Sequence, residues 1–289
     1  MNKTTIIMVK NGKKFFFRFS VNQRIQHLIL ATCVVVLVLT GMPLKFHYTF
    51  WAQYLYALFG GIHMAPIIHR MAGIVLILLF VYHIIYLIRT IWRGQIVPLK
   101  QKEGLSIVRL IRLLLDQPLM PNFKDLKDIF DLFKYLLFLT SERPQGAQFT
   151  WKEKFDYWAP FWGIVIIGAS GAIMWGKEIA TQWLPGEVIN FALIAHSDEA
   201  LLAALFLFIW HWYNVHFSTS VFPMGTAFLT GYLSEELMIE EHYEYYIEVM
   251  KQEGFENEIL PPHQGGGNDN IKKKPMEEIH SASELPRIL

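Results

Sequence analysis

The stretch 69-HRMAGIVLILLFVYHIIYL-87 decides the fold. Its length, and a single charged residue at Arg70, read as a helix that crosses a bilayer. It also carries two histidines, His69 and His83, with thirteen residues between them. An ionisable group within hydrocarbon is costly, and by default it marks function.

Three further apolar blocks have the same character. Together with about Ile67–Ile88 they give four expected spans, the others being about Ile25–Gly41, Ala159–Trp175 and Ile194–Phe217. The first and third are short for a hydrocarbon thickness of roughly 20 helical residues, so tilt or flanking residues must complete them. The first has a basic approach like a signal peptide, but no small-residue cleavage site follows, so it is expected to be retained. Of 289 residues, 53% are hydrophobic, and the apolar residues are concentrated in these blocks. The net charge of +1 says nothing about partners, and nothing points to nucleic acid. The single cysteine, Cys33, excludes a disulfide framework, a cysteine-rich zinc site and a four-cysteine iron–sulfur site. There is no C-x-x-C-H for covalent haem attachment, no nucleotide-binding glycine fingerprint and no triad motif.

Of the 26 Lys and Arg residues, only Lys45, Arg70 and Lys177 fall in the two loops and margins expected on one side. The remainder lie in residues 1–24, in the connection 89–156 and in the tail. The positive-inside rule then places both termini and the long connection in the cytoplasm. The expected organisation is a cytoplasmic N-terminus (1–24), a four-span bundle (25–233, with the loop at about 89–156), an acidic cytoplasmic helix (234–260) and a disordered tail (261–289). The fold class is an all-α membrane protein, a four-helix bundle with cytoplasmic amphipathic helices. In that loop, "FKDLKDIFDLFKYLLFL" places Phe123, Leu126, Ile129, Phe130, Phe133, Leu136 and Leu137 at helical spacing. It reads as an amphipathic helix on the membrane surface or on a partner. Leu105–Asp116 is a shorter version, and Trp51–Gly61 a short interfacial helix.

Eleven histidines are present. His47, His63, His242, His263 and His280 read as ordinary surface residues. The other six, His27, His69, His83, His196, His211 and His216, lie in the spans or at their ends. On a regular helix, His69 and His83 are about 21 Å apart and about 40° short of four turns, and His196 and His211 about 22 Å apart and about 60° past four turns. The second and fourth spans run in the same direction. His69 and His196 therefore share the outer level, and His83, His211 and His27 the inner one. Neutral imidazoles paired at two depths suit two non-covalent b-type haems, each held from both sides. Gly73 and the third-span Gly163, Gly168 and Gly171 offer room for a flat macrocycle, and helix packing explains them equally well. Arg70 is placed either to pair with a haem propionate or to snorkel to headgroups. A proton relay would normally bring acidic residues, and only Asp198 and Glu199 qualify, at the end of a span. The H-E-x-x-H pattern of a zinc site is absent.

The pieces "FRFSVNQRIQHLIL", "HRMAG", "FDYWAPFWGIVIIGASGAIMW" and "HSDEALLAALFLFIWHWYNVHF" cover all four spans, roughly residues 15–220. In order and topology the chain resembles the di-haem cytochrome b subunits of membrane-bound formate dehydrogenases, nickel–iron hydrogenases and thiosulfate reductases. The long loop and the acidic tail look like a sub-branch attached to less familiar electron-transfer complexes. The resemblance implies that His69 and His196 hold the outer haem and that His27 and His211 hold the inner one. The chain departs from the family at His83. Cytochrome bc complexes put two ligands on each of two helices, and on that scheme His83 and His211 hold the inner haem. The motif around His27 favours the first assignment. A third haem on His83 and His216 is a further alternative.

The resemblance also implies electron transfer between a quinone or menaquinone site near the inner haem, with Tyr213 and Asn214 as candidates, and a redox partner at the outer face. That partner would be a multihaem cytochrome c or an iron–sulfur, molybdenum or nickel subunit. The chain would be a relay with no catalytic residues of its own, in a bacterial or archaeal inner membrane. The alternatives are a haem-free membrane anchor and a quinol-oxidising donor to a multihaem cytochrome c.

Overall fold

The computed structural model describes residues 6–104, 106–141 and 144–262. Four helices are long and apolar enough to cross a membrane, and the protein is a multi-pass membrane protein. In chain order the elements are β1 (Ile7–Lys10), β2 (Lys13–Phe17), α1 (Val21–Lys45), α2 (Ala52–Leu58) and α3 (Met64–Ile91). A π-helical turn, Trp92–Ile96, carries α3 into α4 (Val97–Glu103), and α5 (Ile107–Leu115) and α6 (Phe123–Leu136) follow. Then come α7 (Trp151–Trp175), α8 (Lys177–Ala180) and α9 (Val188–Leu205), which continues through two π-helical stretches, Phe206–His211 and Tyr213–Phe217. The described chain closes with α10 (Ala227–Thr230), β3 (Tyr232–Ser234), α11 (Glu235–Glu241), α12 (Tyr243–Gln252) and a short turn.

The first and third spans begin earlier than hydropathy alone indicates, and both starts are capped. Ser20 and Gln23 form a capping box at α1, and Thr150 and Glu153 do the same at α7. Each box satisfies backbone donors that helix geometry leaves open. At 25 residues, α7 is about 37 Å long, enough to cross about 30 Å of hydrocarbon.

The bundle is two helical hairpins. α1 packs along α3 and α7 along α9, while contacts between the hairpins are sparse. The buried residues of the spans are small or polar: Gln26, Cys33, Thr40, Pro43, Ala65, Lys154, Gly163, Ser170, Ala192 and Ala204. Large apolar side chains face outward, as lipid requires. The described apolar core cluster lies outside the spans, around Ile7, Phe16, Leu233, Met238, Tyr246 and Val249.

That core belongs to a unit the sequence reading did not foresee. β1, β2 and β3 form an antiparallel sheet, in that order. The β1–β2 turn is Asn11-Gly12, both with positive φ (52° and 73°). Asn-Gly is the residue pair a two-residue type I′ hairpin demands, and the signal was present in "VKNGKK". In place of one acidic helix over 234–260 there are two, α11 and α12, broken at His242. Because β3 pairs with β2, the N- and C-terminal segments meet at one end of the bundle. The expected disordered tail lies outside the described residues beyond Pro262, as do His263 and His280.

Candidate functional site: two histidine pairs between the hairpins

At one end of the bundle His69 of α3 faces His196 of α9, with ring centres 6.1 Å apart and planes at 70°. Each ring is braced by the other helix of its own hairpin. His69 Nδ1 lies 2.9 Å from Thr40 Oγ1, whose hydroxyl donates to the Val36 carbonyl. Thr40 therefore accepts, and His69 carries its proton on Nδ1. His196 Nδ1 donates to the Ile167 carbonyl at 2.9 Å. In both rings Nε2 is left with a lone pair, the state a metal ligand needs.

Two glycines make this bracing sterically possible. A Cβ on Gly41 would sit 3.0 Å from His69 Cε1, and one on Gly171 would sit 3.0 Å from His196 Cε1. Of the glycines read from sequence, Gly171 therefore touches the site. Gly73 has open space around it, and Gly168 meets only Ile77. Gly41 was missed because it stands at the edge of its apolar block, where it reads as a helix terminator.

At the other end His27 of α1 faces His211, with ring centres 6.4 Å apart. His211 Nδ1 donates to Asp156 Oδ2 at 3.1 Å. His27 Nδ1 is buried and has no hydrogen-bond partner. His211 lies in the π-helical stretch of α9. Such a turn rotates each residue by less than the roughly 100° of an α-helix, so it takes back the overshoot expected from regular spacing.

His83 is placed differently. Its Nδ1 lies 2.7 Å from Gln26 Oε1 and its Nε2 3.1 Å from the Tyr157 hydroxyl, so both nitrogens are in use. The network continues from Gln26 to Asn22, and from Asn22 to Tyr82. His216 packs on Phe228, as His27 does, and its Nδ1 is also buried without a partner. Arg70 lies over the Trp175 ring at 5.7 Å, while at the same end Lys45 pairs with Asp198 at 2.5 Å. Asn214 turns its amide onto the Trp210 carbonyl of its own helix. Tyr213 and Asn214 both line an open cavity of about 4030 Å³ that also takes in His27, His83, Asp156, Tyr157 and His211. No protein-family model matches the chain, and no curated protein matches it.

Among the described residues no group of three or more His, Cys, Asp or Glu converges to hold a lone ion. The histidines converge in twos. With metal–nitrogen bonds of about 2 Å and a ring centre roughly 1 Å beyond its nitrogen, two imidazoles on opposite sides of one iron have centres about 6 Å apart. Both pairs meet that separation. In each pair one ring comes from the first hairpin and the other from the second, and the His27–His211 pair lines the large cavity. The residues present fit a haem held between two histidines at each level.

Among the described residues, His242 is the one histidine placed contrary to the sequence reading. It is buried, not a surface residue: Nδ1 donates to the Ala147 carbonyl at 3.0 Å, and Nε2 lies 3.8 Å from Glu153. Glu153 in turn pairs with Arg18 at 2.6 Å, fastening the sheet unit to the start of α7.

Proposed function

We propose that this protein is an integral membrane di-haem cytochrome b that relays electrons across the bilayer. The observation that carries the reading is the two facing pairs, His69–His196 and His27–His211, at ring separations of 6.1 and 6.4 Å. Each haem, when bound, supplies a one-electron iron couple. The residues do the rest. Thr40 and the Ile167 carbonyl fix the tautomers of one pair, Gly41 and Gly171 let both rings lie against the neighbouring helix, and Asp156 orients His211. From His27 to Thr40, which braces His69, is thirteen residues of α1, so the two levels stand about 20 Å apart.

The ligand scheme with His27 rather than His83 is favoured by the hydrogen bonds that use both His83 nitrogens. With basic residues concentrated at the His27 end, that end faces the cytoplasm of a bacterial or archaeal cell, with N- and C-termini inside. A quinone from the lipid phase reacts near the His27–His211 level, where Tyr213 and Asn214 line the cavity. A second redox subunit, a multihaem cytochrome c or an iron–sulfur, molybdenum or nickel protein, exchanges electrons at the His69–His196 end.

The test is the visible spectrum of the protein purified after haem-replete expression. A b-type Soret and α band with two haems per chain supports the proposal. A colourless protein refutes it and leaves the haem-free anchor. Reporter fusions at Gly186 and after Pro262 test orientation: a periplasm-specific reporter should be active only at Gly186.

A further inference from the structure

The helix α6 is amphipathic, and it is attached to the protein by its polar side. Asp125 receives Lys154 Nζ on both carboxylate oxygens, at 2.8 and 2.9 Å, and Lys154 is buried in the first turn of α7. Lys124 pairs with Glu244 of α12, and Asp128 and Asp131 lie on the same inward side, half-buried. The opposite stripe, Phe123, Leu126, Phe130, Phe133 and Leu137, is exposed, Phe123 at 93% and both Phe130 and Phe133 at 58%. A surface helix of a soluble domain does the reverse, turning its apolar stripe to the core.

Two further observations say what covers the stripe. The first is depth. α7 exceeds the hydrocarbon thickness by roughly one to two turns, which puts its first turn, with Lys154, at headgroup level. The Lys154–Asp125 pair, and the hydrogen bond from Trp158 Nε1 to the Leu119 carbonyl just before α6, hold α6 at that level. The second is charge. The cations set among the exposed apolar residues are Lys127 and Lys134; Lys134 also pairs with Asp131 at 2.8 Å, while Asp125 and Asp128 are turned inward. Lysine stems lying on an apolar face with their ammonium groups outward suit an anionic lipid surface. The preceding helix α5 repeats the pattern, with Ile107, Val108, Ile111 and Leu115 exposed and Arg109 and Arg112 between them.

We propose that α6 lies in the headgroup layer of the membrane, its Phe123–Leu126–Phe130–Phe133 stripe at the acyl boundary and Lys127 and Lys134 on anionic headgroups. The helix would thereby form a membrane-seated wall of the large cavity, which Asp128, Asp131 and Leu132 line and which Lys127 and Lys134 border on the lipid side.

The experiment uses the full chain in vesicles of phosphatidylethanolamine and phosphatidylglycerol with brominated acyl chains. Replacing the one native thiol, Cys33→Ser, permits single labels at Phe130→Cys, Phe133→Cys and, as a water-exposed reference, Asn257→Cys. An environment-sensitive fluorophore at 130 or 133 should be blue-shifted and lose most of its emission to brominated lipid, and little to aqueous iodide. The label at 257 should behave oppositely. If either phenylalanine variant fails to assemble, Leu137→Cys on the same stripe gives the same reading. Quenching by iodide alone at 130 and 133 overturns the proposal. Protection from both quenchers also overturns it, because then another protein surface or a second copy covers the stripe.

Discussion

Asp156 Oδ2 accepts the Nδ1 proton of His211 at 3.1 Å, whereas His69 and His196 are braced by a hydroxyl and a backbone carbonyl. The two pairs thus differ by one carboxylate. A negative charge on an imidazole ligand strengthens its donation and favours oxidised iron. Asp156→Asn should raise the midpoint potential of the haem at the His27–His211 level and leave the other unchanged. Asp156→Glu should restore part of the difference. Spectroelectrochemical titration checks this, and equal shifts in both haems would count against it.

The pairing itself is open to removal of one ligand at a time. His69→Ala and His196→Ala should each abolish the same one of two b-type transitions. His27→Ala and His211→Ala should abolish the other. His83→Ala should retain both, because His83 bonds to Gln26 and Tyr157 rather than facing His211. A variant of His83 that lost a haem while His27→Ala kept both would transfer the ligand role to His83.

Gly41 and Gly171 should be intolerant of even a methyl group. Each new Cβ would stand 3.0 Å from an imidazole carbon, so the ring must move or the hairpin must open. Overpacking of this kind costs about 1–3 kcal/mol. Gly171→Ala should lower thermal stability and perturb the haem at the His69–His196 level alone, read by its EPR g-values. Gly73→Ala, with open space around it, is the control.

The Lys154–Asp125 pair joins α6 to α7 out of solvent. Lys154→Met should cost about 3–5 kcal/mol, because it leaves a buried carboxylate without its cation. The double variant Lys154→Met, Asp125→Leu should recover most of that loss. Denaturation of the detergent-solubilised protein, followed by far-UV circular dichroism, measures both.

Burial holds the pKa of His242 below its ordinary 6.5, with nearby Arg18 acting in the same direction and Glu153 opposing. The unfolded segment therefore binds a proton more readily than the folded one. Stability of the sheet unit should fall as pH drops from 7 through about 6.5 and below, levelling off under the folded pKa. Hydrogen exchange of the α11 and α12 amides at pH 7.5 and 5.5 reads this directly. His242→Gln should flatten the difference.

Much of the membrane part was legible in the sequence. Four long apolar blocks can satisfy their backbone only as helices in lipid, so their existence follows from composition. Histidines at matched depths follow from the fixed rise of a helix and the shared direction of the second and fourth spans. Depth, however, cannot choose between His27 and His83, since both stand near the same end. Which of the two rings faces His211 depended on the rotation of three helices about their axes, which placed His27 opposite His211 and turned His83 onto Gln26 and Tyr157. The π-helical stretch at His211 and the carboxylate of Asp156 beside it are likewise products of packing. The sheet unit shows the complementary limit. Its Asn-Gly turn is a local signal, readable in principle, but β2 finds β3 across more than 200 residues, and His242 is buried only because that pairing brings the tail onto α7. The sequence alone determined where helices cross the membrane and at which depth their histidines stand. The tertiary structure decided which histidines face each other, because rotation about a helix axis is fixed by neighbours and not by the helix's own residues.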